Sequence, residues 1–362
     1  MRILHIINSL QIGGAERLVV DLLPFLNDQN IPSDLLLLNA VETSLTKELA
    51  ASSHCQIFSL NASEIYNPLL IFKIIPYLKD YDIIHIHLIP SLYWVALAKF
   101  VSGSNTKLIY TEHSVIIKKR SNWFFRMVDR FIYSQIDNVI CVSQQVEDSL
   151  HNHLKNESNN LVTITNGINL SKFSNALPMN RSELGLCDTD FVIVQASSFR
   201  PAKDQKTVIE AAKLLPAEFK IVFAGDGQNR IPCEKYALEI GAAKNTFFLG
   251  NQEDIPALLA MADVVVLSSH YEAFPLAVLE GMASQKPVVA SNVSGLAELV
   301  GNTGILFEKG NAQELASIIL KLKNEKAYYE KMATRCYSRS QEYSLKKMAT
   351  EHIALYEAVF SA

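Results

Sequence analysis

Two glutamates, Glu272 and Glu280, close a run that starts as an apolar strand at residues 264–267 and turns helical behind Pro275. Proline suits a helix start, because its φ is preset and it has no N–H to leave unpaired. The amides of Leu276, Ala277 and Val278 then point back toward the strand edge and favour a negative group there. At 1.5 Å of helical rise per residue the two carboxylates lie roughly 12 Å apart. They do not share a proton, but they can grip two ends of one extended polar ligand. Solvated glutamates on an ordinary amphipathic helix fit the same spacing. A second candidate is the pair Arg200 and Lys203, on the loop 197–204 behind the apolar run 191–195. Two cations on such a loop can clamp a diphosphate, or form a solvated surface pair. Gly13-Gly14 and Gly225-Asp226-Gly227 also follow apolar runs. Both can bring backbone close to a ligand, and both fit plain tight turns. The first lacks the spacing of a dinucleotide fingerprint.

These residues need a scaffold that presents the ends of strands. Short apolar runs at residues 2–7, 34–38, 83–88, 107–110 and 138–142 alternate with helical spacing. A second alternation starts near residue 190, with runs at 191–195, 219–224, 246–249, 264–267 and 287–290. Continuous apolar strands joined by helices predict parallel sheets covered on both faces. Two doubly wound α/β halves are therefore expected, joined near the turn dipeptide Asn166-Gly167. In such sheets ligands bind beyond the carboxyl ends of the strands. The stretch 324–362 is helical with no strand of its own, so it must dock on something already folded.

Composition narrows the function. The 362 residues are 49% hydrophobic and 19% charged, with a formal net charge of -4. That balance excludes disorder, and the acidity argues against a dedicated nucleic-acid binder. Five scattered cysteines form no C-x-x-C pair, which predicts small buried hydrophobes in a reducing compartment. No signal peptide and no apolar run of spanning length is visible. A cytoplasmic protein is expected, able to lie at the cytosolic face of the inner membrane.

His85 and His87 alternate with apolar residues and share one face of a strand. A zinc site needs a third ligand, and none is near in sequence, so cleft-lining or core histidines are expected and no metal. The triplets Asp80-Tyr81-Asp82 and Asp188-Thr189-Asp190 precede strands and read as solvated turns. Residues 118–131 mix five cations with four aromatics. Lys118, Lys119, Arg120, Trp123, Phe124 and Arg126 could face an anionic membrane, as interfacial helices do. The alternative is a helix packed through Trp123, Met127 and Phe131 with its charges in solvent.

Taken together, the chain resembles the retaining nucleotide-sugar glycosyltransferases of family 4. The resemblance rests on Glu272-x7-Glu280, Gly13-Gly14-Ala15-Glu16, Asp82 to His87, Thr111-Glu112-His113, Asn166-Gly167-Ile168 and Ala224 to Gly227. It extends to Phe248-Leu249-Gly250, Lys286 to Ala290 and Ser294 to Glu298. These segments follow the family's order over nearly the whole chain. The resemblance implies the GT-B fold, an α/β pair of Rossmann-like domains facing across a cleft. Residues 1–167 would bind acceptor and 168–342 the nucleotide-sugar, while 343–362 would cross back to the first domain.

By resemblance, Arg200 and Lys203 hold the donor diphosphate, Glu280 the ribose and Glu272 the transferred sugar. The amides of Ala273, Phe274, Leu276 and Ala277 would meet sugar and phosphate. Gly14 would close over the diphosphate, with Gly225 beside it, and Phe248, Leu249 and Asn251 would border the base. His113 would line the reaction centre, with Glu112 also on the acceptor side. The family's arginine usually lies five or six residues before the lysine, where this chain has Ser197 and Ser198; Arg200 is the nearest equivalent. The implied chemistry is metal-independent transfer of a hexose-type sugar to a glycan or lipid-linked acceptor, with no cofactor. A sugar-nucleotide 2-epimerase and a non-catalytic partner subunit are the rival readings.

Overall fold

The computed structural model describes residues 1–52, 54–115, 122–154 and 160–362. The chain forms two units, one of Met1–Gly167 with Leu345–Ala362 and one of Ile168–Ser344. Lys118, Lys119 and Arg120 lie outside the described residues.

The first unit holds a parallel sheet of β1 (Ile3–Ile7), β2 (Ser33–Leu37), β3 (Ile57–Ser59), β4 (Ile83–His87), β5 (Lys107–Glu112), β6 (Asn138–Cys141) and β7 (Leu161–Thr163). Their order among the described residues is β3-β2-β1-β4-β5-β6-β7. β1, β2 and β4 are buried at every position. This is the physical reason for their unbroken apolar runs, since helices cover both faces. The helices that matter for function are α1 (Gly14–Asp28), α2 (Ser91–Ser102), α3 (Trp123–Tyr133), α4 (Gln144–Leu154) and the C-terminal α8 (Leu345–Ser361). Met348, Tyr356 and Val359 of α8 pack with Leu18, Leu22 and Leu26 of α1 and with Ile3, Ile83 and Ile109 of the sheet. A 3₁₀ turn at Gln341–Tyr343 delays the start of α8 to Leu345.

The second unit holds β8 (Phe191–Ala196), β9 (Phe219–Ala224), β10 (Thr246–Gly250), β11 (Val264–Leu267), β12 (Val288–Ser291) and β13 (Ile305–Phe307), in the order β10-β9-β8-β11-β12-β13. Between them run α5 (Gln205–Leu214), α6 (Leu276–Ala283) and α7 (Ser294–Val300), among others. Each sheet reverses its winding once, between β1 and β4 and between β8 and β11. Those reversals open the crevices where such folds take ligands.

Candidate active site

The crevice of the second unit is built by the loops that leave β8 and β11. Lys203 and Ser269 pair as an isolated antiparallel bridge. The amide of Asp204 donates to Ser268 at 3.0 Å and that of His270 to Ala202 at 2.8 Å. Asp204 caps α5 and accepts a 2.6 Å bond from the Thr207 hydroxyl. Ser268 adds a bond to the same carboxylate at 3.2 Å. This buried lattice fixes Lys203, whose ammonium is paired with the Glu272 carboxylate. The Ser269 hydroxyl donates to the same carboxylate oxygen at 2.5 Å.

Behind Glu272 the chain enters α6, with Pro275 at the cap and no side chain closing its first turn. The leading amides, Leu276 and Ala277 among them, are therefore available to an anion, with the helix dipole behind them. Glu280 sits half-buried further along α6, and Ala273 and Phe274 are half-buried ahead of it. Phe274 rests on Tyr343, ring centroids 5.6 Å apart. Gly295 of α7 lies under this turn, where a Cβ would come within 2.4 Å of the Glu272 carbonyl oxygen. Arg200 is exposed on the β8 loop, and its carbonyl receives the Lys203 amide at 2.9 Å.

Gly225 follows β9 with φ +135°, and a Cβ there would lie 2.2 Å from the Ser197 carbonyl oxygen. Only glycine permits both that conformation and that approach. Beside it Phe248 stacks on Phe223, centroids 5.0 Å apart, with Leu249 half-buried and Asn251 exposed just past β10. The second unit thus brings Lys203, Glu272 and the open end of α6 together, flanked by Arg200, Gly225 and Phe248. The contributions of Ser269, Ser268 and Asp204 escape a sequence reading. The sequence hint was the polar Ser268-Ser269 ending an apolar strand and the Asp-x-x-Thr cap directly after Lys203.

In the first unit, Gly13 is the extended cap of α1 and Gly14 its first residue, again with no side-chain cap. Glu112 is buried at the end of β5, accepting from the Tyr133 hydroxyl at 2.9 Å and from the Ser114 hydroxyl at 3.0 Å. Those bonds tie the loop that carries His113. The sequence offers no third imidazole near His85 and His87, but the fold supplies one, contrary to that expectation. β1 lies against β4 with His5 opposite His85, so His5, His85 and His87 place ligand atoms within 4.8 Å of one another. All of their ring nitrogens except His5 Nε2 are engaged, with other imidazoles or with hydroxyls. His5 Nδ1 meets His87 Nε2 at 3.0 Å, and His87 Nδ1 meets His113 Nε2 at 3.2 Å. His85 bonds the Tyr356 and Thr111 hydroxyls at 2.6 and 2.7 Å. Burial, followed by the neighbouring His352, pushes His5 down to about 3, and burial followed by the other imidazoles keeps His85 and His87 well below the ordinary value.

Helix α3 also departs from one of the two sequence expectations. Trp123, Met127 and Phe131 are not its packing face: they are 72%, 55% and 40% exposed, and Phe124 and Phe125 are exposed with them. Its buried face carries Asp129, Ile132 and Tyr133. Asp129 meets His153 of α4 at 2.7 Å and the Tyr93 hydroxyl of α2 at 2.5 Å. Polar anchors of this kind give no apolar periodicity along the helix.

Residues 178–341 match the model described as glycosyl transferases group 1, and residues 12–172 match that of glycosyltransferase family 4. The chain is a GT-B glycosyltransferase. It is 27% identical over 286 residues to the N-acetyl-alpha-D-glucosaminyl L-malate synthase of Bacillus anthracis, covering 77% of this chain and 75% of that one. It is 26% identical over 264 residues to the Escherichia coli UDP-Gal:alpha-D-GlcNAc-diphosphoundecaprenol alpha-1,3-galactosyltransferase, covering 68% of each. In fold it is similar to Anabaena HepE, solved in complex with UDP and glucose. The TM-score is 0.86 at 22% identity, covering 99% of this chain and 100% of that one. Its candidate donor-binding machinery lies in the second unit. Among the described residues no helix is long and apolar enough to cross a membrane.

Proposed function

We propose that this glycosyltransferase moves a hexose-type sugar from a UDP-sugar to a glycan or lipid-linked acceptor, with retention at the anomeric carbon. The observation that carries the reading is the Lys203–Glu272 pair beside the open amino end of α6. A donor diphosphate competes with Glu272 for Lys203 and lies against the α6 amides. The released Glu272 carboxylate then accepts hydrogen bonds from the sugar hydroxyls, and Glu280 from the ribose. Uridine is favoured over guanosine by the UDP bound to HepE and by the donor in the E. coli relative's name.

In the reaction the bond between the anomeric carbon and the phosphate oxygen breaks. Charge gathers on the leaving diphosphate, where Lys203, Arg200 and the α6 amides stabilise it. The acceptor oxygen attacks on the face that the phosphate leaves, and a phosphate oxygen takes its proton. This charge is met by the protein's own cations and amides, so no metal or cofactor is required.

The acceptor side includes a surface for lipid. On α3 the exposed Trp123, Phe124, Phe125 and Met127 stand with Arg126, and Phe131 leans on Phe100 of α2, centroids 5.1 Å apart. Phe100 and Val101 are themselves exposed and extend the patch. Aromatics and cations on one helix suit the interface of an anionic leaflet.

The test is a panel of UDP- and GDP-sugars read by thermal shift, followed by NMR of the product anomer. A matched donor at 100 times its Kd raises stability by about 2.7 kcal/mol. Stabilisation by no UDP-sugar overturns the donor assignment, and an inverted product overturns retention.

A further inference from the structure

The buried imidazoles of the first unit form a chain that ends at His113. Alternation places Thr111 of β5, and His113 just past its end, on the face that His85 and His87 occupy on β4 and His5 on β1. The sequence of contacts is His5 Nδ1 to His87 Nε2, 3.0 Å, then His87 Nδ1 to His113 Nε2, 3.2 Å. His5 and His87 are fully buried, while His113 is half-exposed. Each neutral imidazole has one N–H and one lone pair, so the three tautomers are linked: fixing one fixes all.

The direction of the chain follows from its buried end. His5 Nε2 is buried and has no hydrogen-bond partner. A buried N–H without an acceptor is rarer and costlier than a lone pair without a donor. The same kind of orphan exists next door. His352 Nδ1 meets the Met348 carbonyl at 2.9 Å, and a carbonyl can only accept, so the unpartnered Nε2 of His352 carries a lone pair. His5 by the same logic holds its proton on Nδ1 and donates to His87. His87 then holds its proton on Nδ1 and donates to His113 Nε2, which leaves the His113 proton on Nδ1.

We infer that His5 and His87 are positioning residues that lock His113 in the Nδ1–H tautomer, making it a hydrogen-bond donor to an oxygen of a sugar substrate and not a general base. The role of the sugar in this statement rests on the transferase reading above; the tautomer does not. A ring held at Nε2 by His87 is also fixed in rotation, so its donor is aimed before substrate arrives. The alternative occupant of the cluster is a divalent metal held by His5, His85 and His87. It would have to break one of the two imidazole bonds of His87 and one of the two hydroxyl bonds of His85.

The first measurement is a long-range proton–nitrogen spectrum of the protein labelled with nitrogen-15 histidine, with His113 assigned by its loss in His113→Asn. The expected signals are a protonated Nδ1 and an unprotonated Nε2. A protonated Nε2 in the wild-type protein overturns the inference, whatever the enzyme transfers. The second is kinetic. His87→Asn keeps an N–H near the Nδ1 position, whereas His87→Gln moves its amide to the Nε2 position and abandons His113. His87→Gln should lower kcat about 10- to 100-fold, in the range of supporting residues that orient a working imidazole, with KM for donor little changed. His87→Asn should recover most of that loss. Equal activity of the two variants overturns the positioning role, and if either fails to fold the wild-type spectrum still decides the tautomer. One equivalent of tightly bound transition metal in the purified protein also overturns it.

Discussion

Replacing Lys203 by alanine separates the charge that holds this site together from the charge that drives its reaction. The Lys203 and Glu272 side chains are 18% and 12% exposed, so the pair is mostly removed from water. Without the ammonium, Glu272 keeps the Ser269 hydroxyl at 2.5 Å but loses the cation it is paired with. An unsatisfied, largely buried charge of this kind costs about 1–3 kcal/mol of stability. In catalysis the loss is larger, because the leaving diphosphate gathers charge where Lys203 stood. Removing one such stabiliser costs about 2–4 kcal/mol in the transition state, or about 30- to 1000-fold in kcat/KM. The assay pairs denaturant unfolding with steady-state transfer for Lys203→Ala, Glu272→Gln and the double variant. The double variant removes the orphaned charge, so it should regain stability relative to Lys203→Ala while remaining inactive. A folded Lys203→Ala enzyme with kcat/KM within about twofold of wild type would refute the argument.

Three further outcomes follow from other parts of the structure. Gly225→Ala forces a Cβ to within 2.2 Å of the Ser197 carbonyl at a φ of +135°, so it should cost about 2–4 kcal/mol and weaken donor binding; an unchanged unfolding midpoint would show that the loop yields freely. Stability should fall as pH drops below 6.5, because His5, His85, His87 and His352 resist protonation in the fold, while the unfolded chain takes up protons at the ordinary value. The unfolded state binds more protons there, so unfolding free energy declines on the order of 1 kcal/mol per ring between pH 6.5 and 5.5; denaturant midpoints that stay level across that interval would contradict it. Anionic vesicles should co-sediment the protein, and Arg126→Gln should weaken that binding by about 1 kcal/mol, roughly fivefold, with Trp123→Ser weakening it further. Wild-type protein left in the supernatant would remove the membrane surface and leave a soluble acceptor.

Much of this site is legible before folding because it depends on local chemistry. Pro275 sets a helix start wherever the chain puts it, and an apolar strand ending in Ser268 places that start at a sheet edge. The family's segments, read in order, then attach roles to Lys203, Glu272 and Glu280, roles that the kinetics above would test. The same locality explains the unbroken runs at β1, β4, β8 and β11: a parallel strand covered on both faces must be apolar throughout.

Local composition thus settles the kind of element at each position and the residues that could do chemistry at its end. Which residues meet was decided only by tertiary structure. Glu272 finds Lys203 across 69 positions because β8 and β11 are neighbours in the sheet. His5 completes the imidazole cluster because β4 pairs with β1 in a register that sets His85 opposite it. Helix α3 turns its aromatics outward because Asp129 and Tyr133 find buried partners on other elements. Each of these is a long-range pairing whose partner is fixed by strand order and register, and neither composition nor periodicity along one segment carries that information.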